Sequence, residues 1–72
     1  MPFVKIELTR EGVTREQKQQ LIKGVTDLIT DVLNKDPQLT HVVLQEVDLD
    51  DWGVGGEQTS VLREKGITAD KK

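Results

Sequence analysis

The sequence contains no cysteine among its 72 residues. This absence excludes a disulfide framework, a zinc site built on thiolates and a cysteine nucleophile. It is typical of proteins in a reducing compartment, so we predict a cytoplasmic location. His41 is the only histidine, so one chain has no second imidazole with which to build a metal site. No metal and no other cofactor is predicted.

Aromatic residues and positive charge are also scarce. Phe3 and Trp52 are the two aromatic residues, and ten lysines and arginines against thirteen aspartates and glutamates give a net charge of −3. Nucleic-acid binding requires a basic surface and, for single strands, aromatic rings that stack on bases. Long apolar runs and the basic-then-apolar order of a signal peptide are missing as well. We therefore predict neither a nucleic-acid nor a membrane partner.

The length predicts one domain, residues 1–72, in which the segment 66–72 forms a frayed tail. A domain of about 60–70 residues buries only roughly 60% of its unfolded surface, which leaves it marginally stable alone. Small folds without disulfides or metals often gain stability by oligomerisation. We therefore expect a homo-oligomer.

Two segments have the composition of β-strands. In residues 2–8 the apolar Val4, Ile6 and Leu8 occupy alternate positions, which is the period of a strand with one buried face. Residues 40–47 are rich in β-branched and apolar residues, which favours a second strand.

A helix is predicted between these strands. Thr14 and Gln17 have the spacing of a capping box, in which each side chain bonds the backbone N–H of the other residue. Asn34 is suited to the C-terminal cap, and Pro37 is expected to enforce the stop. Apolar residues recur at the spacing of one helix face, at Leu21, Ile22, Val25, Leu28, Ile29, Val32 and Leu33.

This order of elements predicts a single β-α-β unit of the α/β (α+β) class, with parallel strands and the helix on one face. The glycine-rich segment 53–56 is interpreted as the turn of a short C-terminal β-hairpin, because it lacks the spacing of a dinucleotide-binding loop. The sheet face away from the helix keeps Phe3, Val43 and Val47. An exposed apolar face on so small a chain indicates a subunit interface.

The acidic segment 48–51 is weighed as a calcium loop and rejected. Trp52 stands at the fifth position of such a loop, and Thr59 stands where a bidentate glutamate is required. We interpret the segment as a solvated loop. Ser60, the only serine, has no local support as a nucleophile.

The second residue, Pro2, carries the strongest chemical signal. Methionine before a small residue is normally trimmed, and removal of Met1 would leave proline as the N-terminus. An unperturbed α-amino group titrates near roughly 7.7–8.0, and burial beside apolar residues lowers that pKa. A base poised near neutral pH is suited to proton transfer at carbon.

Three segments together resemble the 4-oxalocrotonate tautomerase family, whose enzymes use a catalytic N-terminal proline. Residues 2–6 (PFVKI) resemble the opening strand of the family, and residues 11–18 (EGVTREQK) resemble its loop and helix start. Residues 51–57 (DWGVGGE) resemble its hairpin, an aromatic residue followed by Gly-x-Gly-Gly. With the helix length, the resemblance covers nearly all of residues 2–60.

The resemblance implies an isomerase with a β-α-β fold that assembles as a hexamer, a trimer of dimers. Pro2 would be the general base for enol–keto interconversion of a 2-hydroxydienoate or 2-oxo acid, by a 1,3- or 1,5-proton transfer. The small-molecule partner would be a 2-oxo acid or its enol. Trp52 would match the aromatic residue that keeps the pocket apolar and the proline amine neutral.

The sequence departs from the family at its two arginines, which bind the substrate carboxylate and polarise its carbonyl. Val13 stands at the first position and His41 at the second. Valine cannot replace a charged, planar fork. Arg10 is the first candidate replacement and Arg15 the second. His41 could donate a hydrogen bond to a carbonyl oxygen, or it could be an ordinary strand residue at a subunit contact.

Two alternatives follow from these departures. The same proline amine could catalyse hydration or dehalogenation, which in the family generally requires a carboxylate that activates water. Glu46 is the nearest such group, but its alternation places it on the helix-facing side with Val42 and Leu44. The chain could also be a non-catalytic oligomeric homologue that kept the fold and lost the arginines.

Overall fold

The computed structural model describes residues 1–69, so the last three residues of the predicted frayed tail lie outside the described residues. Two strands and a long helix form the main unit, and a hairpin and a short helix follow. The elements are β1 (Phe3–Thr9), α1 (Arg15–Leu33), β2 (His41–Val47), β3 (Gly53–Val54), β4 (Glu57–Gln58) and α2 (Thr59–Glu64), with 3₁₀ turns at Pro37–Leu39 and Leu49–Asp51.

The ends of α1 follow from local side chains. The Gln17 N–H donates to Thr14 Oγ1 at 3.1 Å and the Thr14 N–H donates to Gln17 Oε1 at 2.9 Å, which confirms the capping box. Asn34 adopts the left-handed conformation, with φ 53°, and its N–H donates to the Thr30 carbonyl at 2.9 Å. The helix therefore ends at the Asn34 cap, and Pro37 begins a separate 3₁₀ turn.

β1 and β2 pair in parallel, as the sequence predicted. The register runs from Phe3 opposite His41 to Thr9 opposite Val47. One side chain in two on each strand is half-buried, which is the alternation of a sheet with one face under a helix. β2 contacts α1, so this covered face is the helix-facing one.

The predicted C-terminal hairpin is confirmed. β3 and β4 pair antiparallel, with Gly53 opposite Gln58. Gly55 and Gly56 form the turn with φ of 62° and 87°. Two successive positive φ values are what a tight hairpin turn requires, and glycine adopts them without a Cβ clash.

The helix α2 was not predicted. Its C-terminus is closed by Gly66, whose N–H donates to the Arg63 carbonyl at 3.0 Å, and by Ile67, whose N–H donates to the Leu62 carbonyl at 3.0 Å. With Gly66 at φ 80°, this is a Schellman motif. Gly66 and Ile67, which the sequence analysis placed in the tail, therefore cap a helix. A glycine followed by an apolar residue was the signal in the sequence.

Residues 1–69 of a single copy do not enclose an apolar core. Among residues 1–69 only the Thr59 side chain is buried, at 2% exposure. Phe3 is 65% exposed and Val43 42% exposed on the uncovered sheet face, while Val32 on α1 is 70% exposed. None of the helices in this range combines the length and the hydropathy of a membrane span.

Candidate active site

Pro2 and His41 lie together at one end of the two-stranded sheet. Pro2 is half-buried and directly precedes β1, while His41 is the first residue of β2 and is exposed. The backbone N–H of His41 donates to the Pro2 carbonyl at 3.0 Å. This bond and the proline ring fix the backbone at the position of the candidate base. The parallel register thus joins two of the predicted site residues.

Arg10 lies at the opposite end of the sheet. It follows the last residue of β1, and its backbone N–H donates to the Val47 carbonyl at 2.8 Å. The seven residues of β1 span about 20 Å at roughly 3.3 Å per residue, so one chain keeps Arg10 far from Pro2.

The Arg10 guanidinium is held by two carboxylates. Its Nε donates to Asp48 Oδ1 at 2.7 Å and its Nη1 donates to Glu46 Oε2 at 2.9 Å. The hydrogen bond to Asp48 and the charge of that carboxylate raise the pKa of Arg10 further above its ordinary value. Since the side chain is still 58% exposed, part of the guanidinium faces solvent.

Glu46 links this cluster to α1. Lys18 Nζ lies 2.7 Å from Glu46 Oε1, and the Glu46 side chain is 16% exposed. The hydrogen bond from Lys18 is the main cause of the lowered pKa of Glu46. Glu46 therefore lies on the helix-facing side and pairs with two cations, an arrangement suited to holding the fold and not to activating water.

Trp52 follows the 3₁₀ turn beyond β2, so it comes after the same far end of the sheet. It is half-buried, and its carbonyl accepts two hydrogen bonds from Thr59, at 2.7 Å from the N–H and 2.8 Å from the hydroxyl. Thr59 is the first residue of α2. The short helix therefore fixes the backbone that carries the predicted pocket aromatic.

Glu11 and Arg63 form a contact that was not predicted from the sequence. Arg63 Nη2 donates to Glu11 Oε2 at 3.1 Å and its Nε donates to the other carboxylate oxygen, while the Thr9 hydroxyl also donates to Glu11. These bonds, that of Arg63 foremost, lower the pKa of Glu11 to about 2. Because Glu11 and Arg63 are 52 residues apart in the sequence, no local motif predicts that they pair.

Val13, where the resemblance leads one to expect an arginine, is half-buried. It lines an open depression of about 410 Å³ with Leu8, Gln17, Gln20 and Leu21. This wall offers apolar surface and amides but no cation for a carboxylate. Within residues 1–69, no three histidine, aspartate or glutamate side chains are grouped as a metal ion requires.

Comparison with known proteins decides the family. A family model described as "Tautomerase enzyme" matches residues 2–61. The chain belongs to the tautomerase family. "Probable tautomerase K2" of Dickeya dadantii is 52% identical over 65 residues, which cover 90% of this chain and 97% of that protein.

Solved tautomerase structures agree with the fold. The crystal structure of DmpI from Helicobacter pylori is 49% identical with a TM-score of 0.83, and the match covers 88% of this chain and 97% of that one. A heterohexameric 4-oxalocrotonate tautomerase from Chloroflexus aurantiacus is 27% identical with a TM-score of 0.80, over 88% and 100% of the two chains. The resemblance to the 4-oxalocrotonate tautomerases is thereby confirmed, and the chain is an isomerase of tautomerase type.

Proposed function

We propose that this tautomerase interconverts the enol and keto forms of a 2-hydroxydienoate or 2-oxo acid, with Pro2 as the general base after removal of Met1. The position of Pro2 carries the proposal, because it is half-buried beside His41 at the start of the sheet. Met1 is 82% exposed, so its removal would uncover little surface. The prolyl nitrogen would then be a free secondary amine.

The reaction needs one base that returns the proton it takes. The Pro2 amine accepts the proton of the enol hydroxyl, and the electron pair of the broken O–H bond forms the carbonyl. As the carbonyl forms, the electron pair of the substrate's C2=C3 double bond moves to carbon 3, or forms a C3=C4 double bond and displaces the C4=C5 pair to carbon 5. The prolyl ammonium donates the same proton to that carbon, which completes the 1,3- or 1,5-transfer. Within one chain Trp52 lies toward the far end of the sheet, so Trp52 of another copy would be the apolar neighbour that keeps the amine neutral by penalising its charged form.

We also propose that the active unit is a homo-oligomer, a hexamer built as a trimer of dimers, of single-domain chains. Pro2 and Arg10 lie at opposite ends of the sheet, so a site that uses both requires two copies. The apolar side chains that one copy leaves exposed, Phe3 and Val43 among them, supply the contact surface. The Chloroflexus relative, a heterohexamer, supports an assembly of six chains.

The substrate anchor differs from a pair of free arginines. Arg10 keeps 58% of its side chain exposed and His41 stands beside Pro2, so these two groups are the candidates for the carboxylate and the carbonyl oxygen. Arg10 would replace the arginine that is absent at Val13, but His41 at the second arginine position is not a permanent cation, so the site has one fixed positive charge fewer than a pair of arginines. We therefore expect a substrate with one carboxylate to be preferred over one with two.

The experiment measures the conversion of a 2-hydroxydienoate and of its dicarboxylate analogue, by protein whose intact mass shows loss of Met1. Pro2→Ala should lower kcat by about 10²- to 10⁴-fold, the range of a lost general base, while the fold is kept by circular dichroism. The protein that retains Met1, in which the proline nitrogen is an amide, should be equally slow.

Two results would replace this proposal by the alternatives. An inactive protein with a verified Pro2 terminus would favour a non-catalytic oligomeric role. Hydration or dehalogenation activity without tautomerase activity would favour the second reaction, although Glu46 is already paired with Lys18 and Arg10.

A further inference from the structure

The short helix α2 joins two segments that are far apart in the sequence. At its first residue, Thr59 donates two hydrogen bonds to the Trp52 carbonyl. One turn later, Arg63 binds both carboxylate oxygens of Glu11. Residues four apart lie on the same side of a helix, so α2 presents both contacts from one side.

Each contact holds a neighbour of the candidate site. Glu11 directly follows Arg10, and Trp52 directly precedes the hairpin. The Arg63 side chain is 21% exposed, and its guanidinium binds the carboxylate through two hydrogen bonds, a geometry that fixes orientation as well as distance. The loop that follows β1 and the segment of Trp52 therefore share one support.

We propose that Arg63 is a positioning residue, which fixes the Arg10 loop relative to Trp52 through Glu11 and α2. The inference rests on the proposed function, in which Arg10 and Trp52 contact the substrate. Arg63 itself acts through Glu11 and touches no reacting atom. Its loss affects the placement of the substrate carboxylate and leaves the proton transfer at Pro2 intact.

The test compares Arg63→Gln with Lys65→Gln. Lys65 belongs to the end of the same helix and pairs with Glu57 at 3.1 Å, so the control removes one charge and one exposed ion pair without touching Glu11. Arg63→Gln should raise KM about three- to five-fold, the factor of a partly exposed ion pair, and change kcat less than about two-fold. Lys65→Gln should change neither.

A second measurement does not depend on activity. Trp52 is the only tryptophan, so the fluorescence reports on the surroundings of this one residue. Glu11→Gln, a change on the other segment, should shift this fluorescence in the same direction as Arg63→Gln. The exchanged pair, Glu11→Arg with Arg63→Glu, should restore both KM and fluorescence toward those of the parent protein.

The outcomes separate this inference from the proposed function. If the parent protein with a verified Pro2 terminus were inactive, the proposed function would fail, and the fluorescence comparison would still decide whether Arg63 couples the two segments. Equal KM values for the Arg63→Gln and Lys65→Gln variants would overturn the positioning role. Trp52 fluorescence that does not change in Glu11→Gln would overturn it as well.

Discussion

The two ends of the parallel sheet are held together in different ways. At the end of the sheet that carries Pro2, the hydrogen bond from the His41 N–H to the Pro2 carbonyl joins the strands. The neighbouring Phe3 is 65% exposed. At the other end, Arg10 and Glu46 belong to a cluster of ion pairs that connects β1, β2 and α1.

This difference shows which part of the site one chain can build. Side-chain contacts within one chain fix the end of the sheet near Arg10. There Thr59 and Arg63 of α2 add hydrogen bonds to Trp52 and Glu11. The end of the sheet near Pro2 carries apolar side chains that are exposed to solvent in a single copy. Pro2, the proposed base, therefore lies at the end of the sheet that a second copy completes in the proposed oligomer.

The largest effect is expected from Phe3→Asp at the Pro2 end. Covering a phenylalanine side chain is worth about 1.5–3 kcal/mol, and a carboxylate there would oppose association in every copy. Native mass spectrometry should show six times the 8.1 kDa chain mass for the parent protein and smaller species for the variant. Lys23→Gln makes the same charge change at a side chain of α1 that is 72% exposed, and it should leave the assembly intact. An unaltered mass for Phe3→Asp would refute this interface.

A smaller effect is expected from Thr59→Val at the opposite end. The variant keeps the shape but loses the buried hydroxyl that donates to the Trp52 carbonyl at 2.8 Å. The free energy of unfolding should fall by about 1 kcal/mol in urea denaturation, the value of a typical hydrogen bond. Thr59→Ser keeps the hydroxyl and should recover part of the loss, and a variant as stable as the parent would show that this bond is dispensable.

Glu46→Gln tests whether the ion-pair cluster stabilises its end of the sheet. The Glu46 side chain is 16% exposed, and the change removes the charge that pairs with Lys18 and Arg10. The midpoint of urea denaturation should therefore fall to a lower urea concentration. Glu57→Gln breaks the more exposed pair with Lys65 and serves as the control. A midpoint change no larger than that of the control would mean that the cluster adds no stability beyond a surface pair.

The smallest effect is expected from pH. The folded pKa of Glu11 is lowered from 4.5 to about 2, so the unfolded chain binds this proton first as pH falls. The stabilisation by Glu11 is therefore present above about pH 4.5 and lost as the pH falls toward 2. The difference in melting temperature between the parent protein and Glu11→Gln should narrow over that range. A difference independent of pH would contradict an ionic contact.

Much of the fold was predictable because its signals are local. The Thr14 cap and the Asn34 terminus depend on partners within four residues, and the alternation in β1 and β2 depends on a repeat of two. The helix α2 was missed although Gly66 marked its end, because six residues are too few to show a helical repeat.

The β-α-β unit, the hairpin and the choice of Pro2 as the candidate base could be predicted from the amino-acid sequence, since each follows from neighbouring residues or from motifs in order. The folded structure was needed to show that Pro2 lies beside His41 and that Arg10 lies at the far end of the sheet with Glu46 and Asp48. It also showed the pairing of Glu11 with Arg63 across 52 residues. Such contacts depend on strand register and on how distant segments pack, which no local pattern encodes.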